Sequence, residues 1–309
     1  MRALVTDPGA PGALRLGTAP DPEPGPGRLV LDVHHVSLNR GEVIGAAGRP
    51  PGTVHGFDAA GTVREAATDG TGPAAGTRVV AFGEGAWAQR MAVDVTAVAA
   101  VPDGVDLAAA AALPMAGLTA LRTLRTRPIL GRRVLVTGAA GGVGRYAVQL
   151  AALGGAHVIA SVGSPARAAG LAELGAAEVV IGLDGVGEPV DLILDNVGGP
   201  QLAAAWQLLA PGGDIQAIGW ASGEPAVLAP YSLFSLGPAR TMSTFGDVRE
   251  PGPDLATLLA LVATGRLSPE VGWRGPWDRV GEAATALLER RVAGKAVLDV
   301  TPAPEGTAP

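Results

Sequence analysis

The sharpest chemical feature of the sequence is a glycine-spaced turn. Residues Arg133-Val134-Leu135-Val136-Thr137-Gly138-Ala139-Ala140-Gly141-Gly142-Val143-Gly144 read as an apolar strand, a turn with glycines at 138, 141 and 144, and then the helical pattern of Tyr146 to Leu153. Side-chain-free residues let a backbone turn tightly and approach a pyrophosphate, whose charge is met by N–H groups and the positive end of the helix. Glycine spacing alone is weak evidence in a chain with 46 glycines, so the flanking strand and helix carry the inference. They point to a dinucleotide held by Gly138, Ala140, Gly141, Gly142, Val143 and Gly144, with Gly144 allowing helix and sheet to pack closely.

The next strand decides which dinucleotide. A ribose diol is usually bonded by Asp or Glu at that strand's end. Here it ends Ala160-Ser161-Val162-Gly163-Ser164-Pro165-Ala166-Arg167, and no acid occurs between Gly144 and Glu173. Ser161, Ser164 and Arg167, with Gly163 between them, offer hydroxyl and guanidinium donors suited to a 2′-phosphate, which favours NADPH.

Composition excludes other chemistries. There is no cysteine, so disulfides, thiolate nucleophiles and thiolate metal sites are ruled out. The histidines do not assemble a metal site, since His34 and His35 point to opposite faces of a strand and His157 falls in the nucleotide segment. A formal net charge of -6 without a basic block argues against a nucleic-acid partner and for a small-molecule substrate. Lys295 is the single lysine, leaving little scope for lysine catalysis. Apolar stretches such as Leu107 to Leu113 are too short to span a membrane, and the N-terminus lacks the apolar core of a secretory signal, so a cytoplasmic location is expected.

The elements that position these residues fall into two textures. Up to about Ala100 short β-type runs alternate with turn residues: Arg28 to Val36, Ala59 to Val63, Arg78 to Ala81 and Gln89 to Val93. Asp106 caps a short Ala-rich helix stopping at Pro114, and a second helix covers Met115 to Arg125. Beyond Arg132, strands at Val134-Thr137, His157-Ser161, Val179-Ile181, Leu192-Asp195, Asp214-Ile218 and Arg240-Thr244 alternate with helical segments, as a doubly wound parallel sheet requires. Two amphipathic helices, Asp254 to Thr264 and Arg279 to Arg290, precede a strand, Ala296 to Val300, that is expected to return to the first domain. Pro302 to Pro309 reads as a loose tail.

These residues, with Val30 to Asn39, Gly56-Phe57-Asp58-Ala59-Ala60-Gly61, Ala112 to Ala120 and Asp195-Asn196-Val197-Gly198-Gly199, resemble the medium-chain dehydrogenase/reductase superfamily over nearly the whole chain. The likeness is strongest to its zinc-free quinone oxidoreductase and enoyl reductase branch. It implies an α/β fold: a doubly wound Rossmann sheet (118–247) with a GroES-like, mainly β catalytic domain (1–117, completed by 248–309). Zinc-dependent members carry Cys and Gly-His-Glu where this chain has Asn39 and Gly56-Phe57-Asp58. The resemblance further implies that Asn39 and Thr119 lie near the nicotinamide ribose and phosphates, and Gly163 and Arg167 near the 2′-phosphate. Asn196 and Val197 would follow the fourth strand, Ile218, Gly219 and Trp220 the fifth, and Arg290 matches an arginine near the chain end. A tyrosine common after the third strand is replaced by Gly182.

The expected reaction is hydride transfer from NADPH to a quinone or to the activated double bond of an α,β-unsaturated carbonyl. The proton that completes it comes from a side chain or from water. Candidates beside Asn39 are Tyr231, Glu42 and Asp58. The family further implies a homodimer, expected through the edge strand Arg240 to Thr244. Two other classes fit the same fold: a nucleotide-binding protein without turnover, and a non-redox cyclase.

Overall fold

The computed structural model describes residues 1–234 and 236–300. The tail expected over Pro302 to Pro309 lies outside them. The chain forms two compact units, Met1–Leu118 with the segment from Val248 onward, and Thr119–Asp247.

The second unit is a sheet of six parallel strands among the described residues: β8 (Arg133–Thr137), β9 (His157–Val162), β10 (Glu178–Ile181), β11 (Val190–Asp195), β12 (Leu209–Ala217) and β13 (Thr241–Thr244). Their spatial order is β10-β9-β8-β11-β12-β13. The chain thus winds outward one way from β8 to β10, then returns to β8's other side for β11, and that reversal places a switch point at the end of β8. The register sets Leu135 opposite Ile159 on one side and Ile193 on the other. All three are buried with Leu202 and Trp206, the apolar continuity of a sheet covered on both faces. Helices α4 (Gly142–Leu153) and α5 (Gly199–Leu208) provide two of the crossovers.

One expected crossover helix does not form. Between β9 and β10 the chain makes only a 3-10 turn, Pro165–Arg167, followed by turns, although Ala168 to Leu174 is rich in helix formers. Gly170 and Gly175 take φ of +78° and +106° there, which breaks a right-handed helix at both points.

The first unit is mainly β. Its larger sheet runs β14 (Val271–Pro276), β15 (Lys295–Asp299), β3 (Arg28–Leu38), β4 (Asp58–Glu65), β5 (Arg78–Phe82), β7 (Val98–Ala100), and β6 (Arg90–Asp94) also pairs with β3. The C-terminal strand β15 lies antiparallel to β3, so it returns to the first unit as expected. β3 is the hub. Antiparallel pairing sets Ser37 opposite Asp58 and Leu38 opposite Ala296, so the starts of β4 and β15 meet the end of β3. There the chain enters α1 (Arg40–Ala46). The core beneath includes the fully buried Trp87, whose indole N–H donates to the Ser37 carbonyl at 3.0 Å. Asp106 caps α2 (Leu107–Ala111) through the Ala109 N–H, as the sequence indicates. No helix among the described residues is long and apolar enough to cross a membrane.

Candidate active site

In the second unit the switch point is built from glycine. Gly141 is the N-cap of α4 and has no side chain to take the first-turn N–H groups, and no acidic residue occupies that turn. The helix start therefore presents donors and a positive end with no negative charge in the turn to oppose them. Gly144 packs on the turn itself. A Cβ there would stand 2.5 Å from the Gly138 carbonyl oxygen and 2.6 Å from Ala139 Cα, so glycine alone fits without moving backbone. The Ala139 N–H donates to the Ser161 carbonyl at 3.0 Å, which ties the turn to β9, and Ala140 is buried beside it.

A buried carboxyl braces the neighbouring loop. Asp195 accepts from the Thr137 hydroxyl at 2.6 Å and from the Gly198 N–H at 2.8 Å. Burial pushes its carboxyl up, and the Thr137 and backbone donors pull it partly back. Asn196 donates to Thr137 through both its backbone N–H, 3.0 Å from the hydroxyl oxygen, and its side-chain amide, 2.9 Å from the carbonyl. Ile218 and Gly219 N–H groups both donate to the Asp195 carbonyl, at 2.8 and 3.1 Å. Gly138, Asn196, Val197, Ile218, Gly219 and Trp220 thus gather at the strand ends. Trp220 is half exposed, its indole N–H donating to the Glu224 carbonyl.

At the end of β9, Gly163 has open space around it and Arg167 closes the 3-10 turn after Ser164. Ser161 departs from expectation. It is buried, its hydroxyl donates to the Gly182 carbonyl at 2.7 Å, and it accepts from Gln201 at 3.2 Å. Its proton is spent inside the fold and is not available to a phosphate. Gly182 has φ +67°, a conformation that would strain a tyrosine placed there.

The first unit gathers a different chemistry where β3, β4, β15 and α1 meet. Asp58 accepts from the Ser37 hydroxyl (2.7 Å), the Asn39 amide (2.8 Å) and the Lys295 ammonium (3.2 Å) on one oxygen, and from the Met115 N–H (2.8 Å) on the other. Lys295 also donates to the Asn39 side-chain oxygen at 2.5 Å and to the Leu38 carbonyl at 3.3 Å, which uses all three ammonium hydrogens. Asn39 is the N-cap of α1 and forms a capping box with Glu42. One Glu42 oxygen accepts from the Asn39 backbone and side-chain amides, at 2.8 and 2.7 Å. The other, Oε1, is buried with no partner. Burial, with the Asp58 charge added, pushes the Glu42 carboxyl up to about 8, against the pull of Lys295 and of the two Asn39 bonds. Burial and the Asp58 charge thus both favour its protonated form. His55 lies alongside, its Nε2 3.2 Å from the Glu42 carbonyl, and burial followed by the Arg49 charge holds it below the usual imidazole range.

The C-terminal part of the chain, residues 153–298, matches the family model described as zinc-binding dehydrogenase. Among solved structures, that of AibC is 30% identical, with 97% of this chain and 96% of that one covered and a TM-score of 0.85. The chain belongs to the medium-chain dehydrogenase/reductase superfamily. Its place there is the zinc-free quinone oxidoreductase and enoyl reductase-like branch. The structure of mycobacterial Rv1454c complexed with NADPH is 26% identical over 97% of this chain and all of that one, at a TM-score of 0.86. The spectinabilin polyketide synthase system protein NorB of Streptomyces orinoci is 34% identical over 91% of this chain, which spans only 14% of NorB.

The other expected site residues of this superfamily member have the following surroundings. Both Asn39 amide hydrogens are committed to Glu42 and Asp58, so Asn39 organises the acid cluster rather than offering donors outward. Tyr231 is 84% exposed, takes φ +65° and stacks obliquely on Phe234, the surroundings of a surface aromatic and not of a buried acid. Thr119 is buried, its carbonyl accepting from Thr123. Arg290 is exposed after α7 (Val280–Leu288), where its charge faces Arg40. Lys295 was missed as a site residue. A lone lysine opening the otherwise apolar Ala296-Val297-Leu298 run was the available signal.

Proposed function

We propose that the chain is an NADPH-dependent, metal-independent oxidoreductase that reduces a quinone or the activated double bond of an α,β-unsaturated carbonyl or enoyl substrate. The observation that carries this is the glycine-built helix start at the end of β8, with Gly144 packed on backbone and no acid in the first turn. The likeness to an NADPH complex across the whole chain supports it. When bound, NADPH supplies the hydride. The second unit's residues hold the nucleotide: the Gly141–Gly144 amides take the pyrophosphate, and Ser164 and Arg167 the 2′-phosphate. Glu42 is the acid the geometry favours, because Oε2 accepts two amide bonds as a carbonyl oxygen does while Oε1 keeps an uncommitted proton. One hydride from NADPH and one proton from Glu42 add to the substrate, and solvent restores the proton to Glu42. A screen of NADPH consumption over quinones, enones and enoyl thioesters tests the function. Absence of turnover with every class would defeat it.

Cofactor choice is separately testable. A charge-assisted bond to the 2′-phosphate contributes about 1.5–3 kcal/mol, or roughly ten- to hundredfold in affinity. NADPH should bind more tightly than NADH by about that factor, and Arg167→Ala should remove most of the difference while barely changing NADH binding. Fluorescence titration with both nucleotides measures it; equal affinities in the unmodified protein would count against the assignment.

The assembly that fits is a homodimer through β13. All four residues of this edge strand, Met242 among them, are exposed, as are the apolar Tyr231, Leu233, Phe234 and Leu236 that precede it in the chain. Pairing two such edges would satisfy open backbone groups and cover an apolar stretch that favours aggregation. Light scattering at micromolar concentration should give twice the chain mass, and a monomer mass would rule the dimer out.

A further inference from the structure

Lys295 is the only lysine in 309 residues, and its side chain is 2% exposed on a strand otherwise made of apolar side chains and one terminal Asp. A lone buried ammonium needs a reason. Its three hydrogens go to Asp58, to the Asn39 side chain and to the Leu38 carbonyl. Asn39 in turn holds Glu42 by two bonds. The chain of contacts therefore runs from the C-terminal strand, through the amide of a helix cap, to a carboxyl whose second oxygen is unpartnered.

We propose that Lys295 and Asp58 are positioning residues for proton delivery: the pair fixes Asn39, which hangs Glu42 by one oxygen and leaves the other to carry the proton. This rests on Glu42 being the acid. The two charges act on Glu42 in opposite directions. Asp58 opposes a second negative charge, whereas Lys295 favours one, and burial disfavours either form of charge. Other groups near the cluster contribute little of the kind. His55 is held toward its neutral form, the Ser37 hydroxyl and the Met115 N–H are uncharged donors, and Arg40 turns its guanidinium to the Leu287 and Leu288 carbonyls.

The test is the alkaline limb of kcat against pH, where Glu42 loses its proton. Lys295→Met keeps the length of the side chain and removes its charge, so the cluster holds its proton more tightly and the limb should move up by about one pH unit or more. Asp58→Asn removes the opposing anion, so Glu42 ionises beside Lys295, and the limb should move down by a similar amount. Lys295→Arg keeps the charge and should hold the limb near its original place. Shifts of opposite sign are beyond what loosened packing produces, and limbs that stay put in both charge variants would overturn the proposal. If Lys295→Met does not fold, Asp58→Asn decides alone by the same criterion.

Two controls separate this from the assignment of the acid. Glu42→Gln should lower kcat at least about tenfold. A Glu42→Gln variant with full kcat would remove Glu42 as the acid and this proposal with it, whereas lost kcat alongside unmoved limbs would sink the positioning role alone. A readout independent of turnover is stability in urea. A carboxyl whose value rises from 4.5 to about 8 on folding contributes stability that is complete below pH 4.5 and is lost as pH climbs through 8. The urea midpoint of the unmodified protein should therefore fall across that window, more steeply than that of Glu42→Gln.

Discussion

Replacing Gly144 with alanine is expected to weaken NADPH binding by about a hundredfold or more, equivalent to roughly 2.7 kcal/mol. The added methyl would lie 2.5 Å from the Gly138 carbonyl oxygen and 2.6 Å from Ala139 Cα. Neither is the movable end of a side chain. Both belong to the turn that must approach the pyrophosphate, so relief of the clash either lifts the turn or tilts α4, and each displaces the first-turn N–H groups from the phosphate. Overpacking against backbone costs a further 1–3 kcal/mol or so of fold stability. Titration with NADPH and a thermal melt measure the two effects. Gly187→Ala is the control, because a Cβ at that position meets nothing within 4 Å. Near-normal NADPH affinity in Gly144→Ala would mean that the turn does not carry the nucleotide.

The parts of the molecule that could be read from sequence are those fixed by local rules. Val134-Leu135-Val136 is an unbroken apolar run because a central parallel strand is covered on both faces, and the turn after it needs glycine for steric reasons that act within a few residues. The capping box of Asn39 and Glu42 is equally local, though it is not among the expectations drawn from the sequence. What stayed hidden depends on pairing across the sheet. Ser161 has the right type and place for a phosphate donor, but its hydroxyl goes to a carbonyl of Gly182 on the adjacent strand. Composition could not show that Lys295 meets Asp58, since 237 residues separate them and only the β3 register joins them. The missing crossover helix is an intermediate case. Its Ala and Leu content favours a helix, yet the positive φ of Gly170 and Gly175 is a tertiary demand that propensity does not record.

The same cluster sets the largest expected loss of stability. Asp58→Ala should destabilise the fold by about 3–5 kcal/mol at neutral pH, the scale for breaking a buried ion pair by removing one partner. The cost arises because Lys295 stays behind, 2% exposed, with no anion in contact, and because the Met115 N–H and the Ser37 hydroxyl lose their acceptor together. Each orphaned donor bears its own desolvation penalty. Asp58→Asn should cost clearly less. The amide oxygen can still accept from Met115, so that donor keeps a partner that alanine removes. Replacing both members, Asp58→Ala with Lys295→Met, removes the stranded charge altogether, so the double variant should be more stable than Asp58→Ala alone. Urea unfolding of these three variants and of Lys295→Met alone decides the matter. Losses that simply add in the double variant would show that the ion pair is not coupled, and that the buried lysine is held by its carbonyl and amide contacts instead.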